Sequence, residues 1–142
     1  MTNLTELYDI FLSKISDYSF LTIPESELED ELLGYLKSSK TKFYKCKSSL
    51  NIVDQAGVKS FESELHPFEL EILATLMLVE YLKPKVLSSE VLKQSLSDKD
   101  FKIYSQSNQL RELNLLYRMF RTEASKMIVE YTYFDLNNGD FK

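Results

Sequence analysis

Apolar positions along this chain recur mostly at intervals of three and four residues, the spacing of a helix with one buried face. Leu4, Leu7, Tyr8, Phe11 and Ile15 form the first such row. Asn3 is placed to cap it, with Glu6 three positions on in a capping-box arrangement. The stretch SDYSFLTIPES breaks the pattern, and Pro24 restricts Ile23 to an extended conformation. A second row, Leu28, Leu32, Leu36 and Phe43, follows Ser26 and Glu29, which make another capping-box signature. Residues 48–65 carry no helical period. Asn51 to Val53 and Val58 to Phe61 flank a DQAG turn there, which fits either a short hairpin or an irregular loop.

From His66 the pattern changes to apolar on every side. Phe68, Ile72, Leu73, Leu76, Val79, Tyr81 and Leu82 leave little polar surface, so this helix belongs at the centre of the core. Pro67 suits its first position. Pro84 is expected to end or kink it, with a shorter helix from about Ser88 to Leu96 beyond. The segment SDKDFKIYSQSN is a connection, and Ser105 or Ser107 starts the last helix. Leu110, Leu113, Tyr117, Phe120, Ala124, Met127 and Tyr131 then step by three and four without a break, a seam of the kind that packs against a neighbouring helix. Leu116 and Ile128 widen it enough to meet one partner within the subunit and one beyond it.

The chain end is different in kind. Tyr131, Tyr133, Phe134, Leu136 and Phe141 are rich in aromatics and β propensity, and Asn138-Gly139 is a turn signal. A terminus this short has no core of its own, so it must lie on its own domain, fray, or add to a partner's sheet edge or groove, and an extended partner-docking tail over 130–142 is the outcome expected. The fold class expected is all-α. It is a compact bundle of about four to five helices within one domain over 1–142, with a hairpin or loop near 48–65.

Composition narrows the chemistry. Only three glycines and three prolines occur in 142 residues, which disfavours an all-β design. One cysteine, Cys46, and one histidine, His66, cannot make an internal disulfide or a structural zinc site. No apolar run approaches the ~20 residues that span a bilayer, and MTNLTELYDI does not have the layout of a secretory signal. A cytoplasmic protein is expected on those grounds. The net charge of −5 argues against wrapping nucleic acid.

Candidate catalytic groups are few and weakly arranged. Glu27 and Glu31 share a helix face, yet Glu25 to Glu31 at one end of that helix and Lys37 to Lys47 at the other match its dipole. The same lysines make a phosphate strip on a second reading, without interleaved arginines to support it. His66, next to Pro67, has the place of a helix-start residue rather than a catalytic base. Cys46 in a Lys-rich surrounding is a candidate for a slightly reactive thiol, though a lone cysteine is more often packing. Glycine is too sparse for a phosphate loop, no metal-ligand spacing occurs, and no cofactor is expected. An enzyme is not expected.

Three segments in order carry a resemblance. TELYDIFLSKISDYSFLTIPESELEDELLGYLKSSKTKF, FELEILATLMLVEYLKPKV and SDKDFKIYSQSNQLRELNLLYRMFRTEASKMIVEYTY resemble the head–tail connector (adaptor) proteins of tailed bacteriophages of Gram-positive bacteria. The similarity runs from about Thr5 to Tyr133, and EILATLMLVEYLKPK and DFKIYSQSNQLREL are its most characteristic parts. It implies an all-α structural subunit of the virion neck, made in the bacterial host cytoplasm. That subunit would form a dodecameric ring under the portal at a capsid vertex and extend the DNA channel towards the tail. Its implied partners are the portal protein, the next neck or tail protein and copies of itself, with DNA passing through unbound. The family has no catalytic residues to carry over, and its C-terminal segment commonly docks into the portal, which would suit Tyr131 to Phe141. Another neck or tail-completion protein, or a helical regulator binding one partner protein, are the alternatives.

Overall fold

The computed structural model describes residues 2–16, 28–95, 104–135 and 140–141, with side chains over 2–15, 30–87 and 111–133. In chain order these form α1 (Leu4–Ser16), α2 (Leu28–Lys42), β1 (Ile52–Gln55), β2 (Val58–Phe61), α3 (Pro67–Ser95), α4 (Tyr104–Thr132), β3 (Phe134–Asp135) and β4 (Asp140–Phe141). Among the described residues the architecture is all-α, four helices with two small two-stranded sheets attached.

α3 is the axis of the molecule and packs against α1, α2 and α4. Ile72 to Val79 are buried without interruption, followed by Tyr81, Leu82 and Val86. A helix enclosed on three sides must be apolar nearly all round, which is the pattern its sequence shows. Each fully buried Leu, Ile, Val or Met contributes roughly 1.5–3 kcal/mol. Leu4, Leu7, Phe11 and Ile15 of α1 and Leu32, Leu36 and Phe43 from α2 and its exit close over one side. Where these three helices meet, the rings of Phe11, Tyr35 and Tyr81 form a triangle with centroids 6.0–6.1 Å apart. Ion pairs Lys14–Glu71 and Lys42–Glu80 join α1 and α2 to the rim of α3.

Pro84 does not end the helix. α3 continues through it to Ser95, so the separate helix expected over Ser88 to Leu96 is the far part of α3 as far as the structure describes it. A proline inside a helix removes one hydrogen bond and costs ~3 kcal/mol. Pro84 lies on the exposed side, where the freed carbonyl can face water, and Val86 just beyond it is buried. The buried run that ends at Leu82 anchors the helix on the near side of the proline.

Of the two alternatives for 48–65, the hairpin forms. β1 and β2 pair antiparallel from Ile52↔Phe61 to Gln55↔Val58. The two-residue tip is Ala56-Gly57, with φ of 54° and 83°. Positive φ at both central positions is the signature of a type I′ turn, whose twist matches the strands. On the other edge of β2 the chain start adds a short third run: Asn3 bridges Ser60, and Phe61 N–H donates to the Thr2 carbonyl at 2.7 Å. The buried Thr2 hydroxyl accepts from Leu65 N–H at 2.8 Å. Asn3 caps α1 as expected, its Oδ1 accepting from Thr5 N–H at 2.9 Å.

Where an extended segment is expected, Phe134 pairs antiparallel with Phe141 and Asp135 with Asp140. Self-pairing satisfies backbone groups that an extended segment would leave to water or a partner. The Asn138-Gly139 turn signal, the Ser26 cap and Pro24, and the connection through Phe101 lie outside the described residues.

Candidate functional site

Glu69 is the third residue of α3 and 0% exposed. A buried carboxylate is costly unless its oxygens are occupied, and here four donors converge on it. One oxygen accepts from the Tyr131 hydroxyl at 2.7 Å and the Cys46 thiol at 3.2 Å. The other accepts from Ser48 Oγ at 2.9 Å and His66 N–H at 2.8 Å. His66 in turn caps the helix, its Nδ1 accepting from Phe68 N–H at 3.1 Å. The start of α3 is thus capped from both directions, Glu69 reaching back to His66 N–H and His66 reaching forward to Phe68 N–H, a variant of the capping box with histidine at the cap.

Tyr131 reaches this node from the last turn of α4. Its hydroxyl also accepts from Lys47 N–H at 2.8 Å, and its ring packs edge-on against Phe43 and in parallel over Phe68. Lys47 Nζ lies 5.3 Å from the ring centroid. Three segments distant in sequence, the exit of α2, the start of α3 and the end of α4, are tied at one point.

The electrostatics suit a clasp rather than a reactive centre. Burial tends to raise the Glu69 pKa, but hydrogen bonds from Tyr131, His66 N–H, Cys46 and Ser48 outweigh it and hold the group below the ordinary carboxylate value. The position also lies in the first turn of α3, where the helix dipole favours negative charge. Burial and the adjacent carboxylate push the Cys46 thiol up to about 12. Burial and Glu69 likewise raise the Tyr131 phenol. With its thiol donating to Glu69 Oε2, Cys46 is favoured in its protonated form, the opposite of a reactive thiolate.

The residues of the predicted seam divide clearly. Phe120 and Ala124 are buried, and Leu113, Tyr117 and Met127 are half-buried against the core cluster, together with Leu116 and Ile128. The seam is spent within the subunit. Leu110 lies outside the described side chains, as do Phe134, Leu136 and Phe141. Tyr131, grouped above with the docking tail, is 0% exposed and belongs to the core, because its hydroxyl has found Glu69 and Lys47. Tyr133, two residues on, is 62% exposed.

A second row on α4, continued by Tyr133 just past its end, is exposed. Leu115, Met119, Val129 and Tyr133 are between 47% and 62% exposed. With Thr122 and Lys126 between them they step by four and three along the helix, about 200° round from the seam on a 3.6-residue period. The sequence reading missed this row because two polar residues interrupt it. Elsewhere, a groove of about 590 Å³ runs between α1 and the hairpin, lined in part by Tyr8, Leu12, Leu32 and Val58.

Among the described residues no group of three or more His, Cys, Asp and Glu side chains is placed to hold a metal ion. Among the same residues no helix is long and apolar enough to cross a membrane. No family model, curated protein or solved structure matches the chain.

Proposed function

We propose that this chain is a non-enzymatic structural protein of a phage virion, a head–tail connector that forms a ring under the portal and extends the DNA channel towards the tail. The observation that carries this reading is the resemblance from about Thr5 to Tyr133, whose three segments cover most of α1, α2, α3 as far as Val86, and α4. It is supported by an outer face of α4 with more apolar surface than a lone subunit uses. The polar cluster around Glu69 is turned inward and holds its own hydrogen bonds, an arrangement suited to joining helices. A net charge of −5 suits a channel wall that DNA passes without adhering.

The test is the mass of the complex formed when the chain is mixed with the portal protein encoded in the same genome. One copy per portal subunit is the expected result. Free portal beside free chain overturns the reading.

A further inference from the structure

We infer that the end of α2 and the turn after it bind single-stranded nucleic acid, with an unpaired base stacked on Tyr44 and neighbouring phosphates held by Lys37, Lys40 and Lys45. This contact is independent of the connector reading, since neither portal nor ring takes part in it. Charge is unevenly spread along the chain: five of its 17 basic residues and none of its 22 acidic ones fall within Lys37–Lys47. Lys42 is paired with Glu80, and Lys47 lies over the Tyr131 ring. Among the described residues Lys37, Lys40 and Lys45 form no ion pair. Lys37 and Lys45 are exposed, and Lys40 is half-buried.

The helix dipole accounts for lysines at this end of α2, but not for the tyrosine among them. Tyr44 is 78% exposed, the most open of the large apolar side chains described. The residues on both sides impose that position. Phe43 is buried with its ring against Tyr131, and the Cys46 thiol is held by Glu69. Cys46 N–H donates to the Phe43 carbonyl at 3.2 Å, closing a turn with Tyr44 and Lys45 at its tip. An anchored turn thus displays the ring. Lys45 Nζ lies over one face, 5.9 Å from the centroid, and the exposure leaves the other face open to a planar group. From Lys37 to Tyr44 the strip runs about 10 Å at the rise of a helix, a length that suits a few nucleotides.

Ring and charges together select the partner. Base–aromatic stacking tolerates any sequence, and lysine meets a phosphate as a point charge without a fixed geometry. An acidic peptide offers carboxylates to the lysines but no base to the ring. A duplex keeps its bases stacked inside and gains only the lysine contacts, which agrees with DNA passing the chain without adhering. The net charge of −5 keeps the contact local to this strip.

Fluorescence anisotropy of a short fluorescein-labelled oligothymidylate, titrated with the full chain at low salt, tests this. Binding should weaken as salt is added, with a slope of about −2 in log K against log salt for three phosphates. Tyr44→Ala should bind about tenfold more weakly, and Tyr44→Phe like the wild type. Lys37→Gln should reduce the slope by about 0.7. Both positions are exposed, so the helical circular dichroism should not change. No binding at low salt overturns the inference, and so does a Tyr44→Ala chain that binds like the wild type. A duplex or a polyglutamate competitor as effective as the single strand would reveal an anion surface without a base site, which equally overturns it.

Discussion

The Tyr131 hydroxyl donates a 2.7 Å hydrogen bond to Glu69 Oε2 across 62 residues of chain, joining the end of α4 to the first turn of α3. The same oxygen of Tyr131 accepts from Lys47 N–H. One phenol thus fixes the position of two other segments.

Tyr131→Phe removes that oxygen and little else. Glu69 loses its shortest hydrogen bond and Lys47 N–H loses its acceptor, so a loss of about 1.5–3 kcal/mol in unfolding free energy is expected. Urea denaturation followed by circular dichroism measures it, with the slope unchanged if only the clasp is affected.

Acidification reads the same clasp through Glu69. Its folded pKa lies below the ordinary value, so it contributes stability that is present above the unfolded pKa of 4.5 and lost as pH falls through the lower folded value. Glu69→Gln should be less stable at neutral pH and should lose less on acidification. Unfolding free energies of the two proteins, compared from neutral pH downward, should converge. Parallel curves would mean that Glu69 does not carry the charge assigned to it.

Cys46 should be nearly inert in the native protein. A thiol pushed from 9.0 to about 12 holds roughly a thousandfold less thiolate at neutral pH than an ordinary cysteine. Reaction with a chromogenic disulfide should be slow in buffer and fast in denaturant. A fast native rate would show that the thiol is not held by Glu69.

Two backbone positions leave stability to be gained. Gly34 is exposed inside α2, and a Cβ there would meet nothing within 4 Å, so Gly34→Ala should stabilise by about 1 kcal/mol. Ala56 occupies the left-handed region with φ of 54°, which costs an alanine roughly 1 kcal/mol. Ala56→Asn, giving Asn-Gly at the tip, should recover part of that. Thermal melts of both variants provide the check.

The helical frame was largely legible in the sequence, because four apolar rows at helical spacing translate directly into buried faces. The separate helix expected beyond Pro84 does not form because helix propensity is local, and one proline is not enough to end a helix that continues to Ser95. The role of Tyr131 was hidden by its place at the boundary between seam and aromatic end, where spacing alone assigns it to either. Glu69 carried a signal in the sequence, a carboxylate three residues after His66 in the first turn of the most apolar helix. The outer row of α4 was equally present at four-three spacing, but Thr122 and Lys126 broke it for a reading that looked only for unbroken apolar runs.

The central place of α3 has a consequence for the order in which the chain is made. Two of its three neighbours, α1 and α2, precede it in synthesis, so as it emerges it can dock on them at once. The strip that α4 covers stays bare until a further 29-residue helix has been translated. During that interval a nascent chain displays apolar side chains to other nascent chains and to chaperones, and the ribosome's pace through α4 sets how long that exposure lasts.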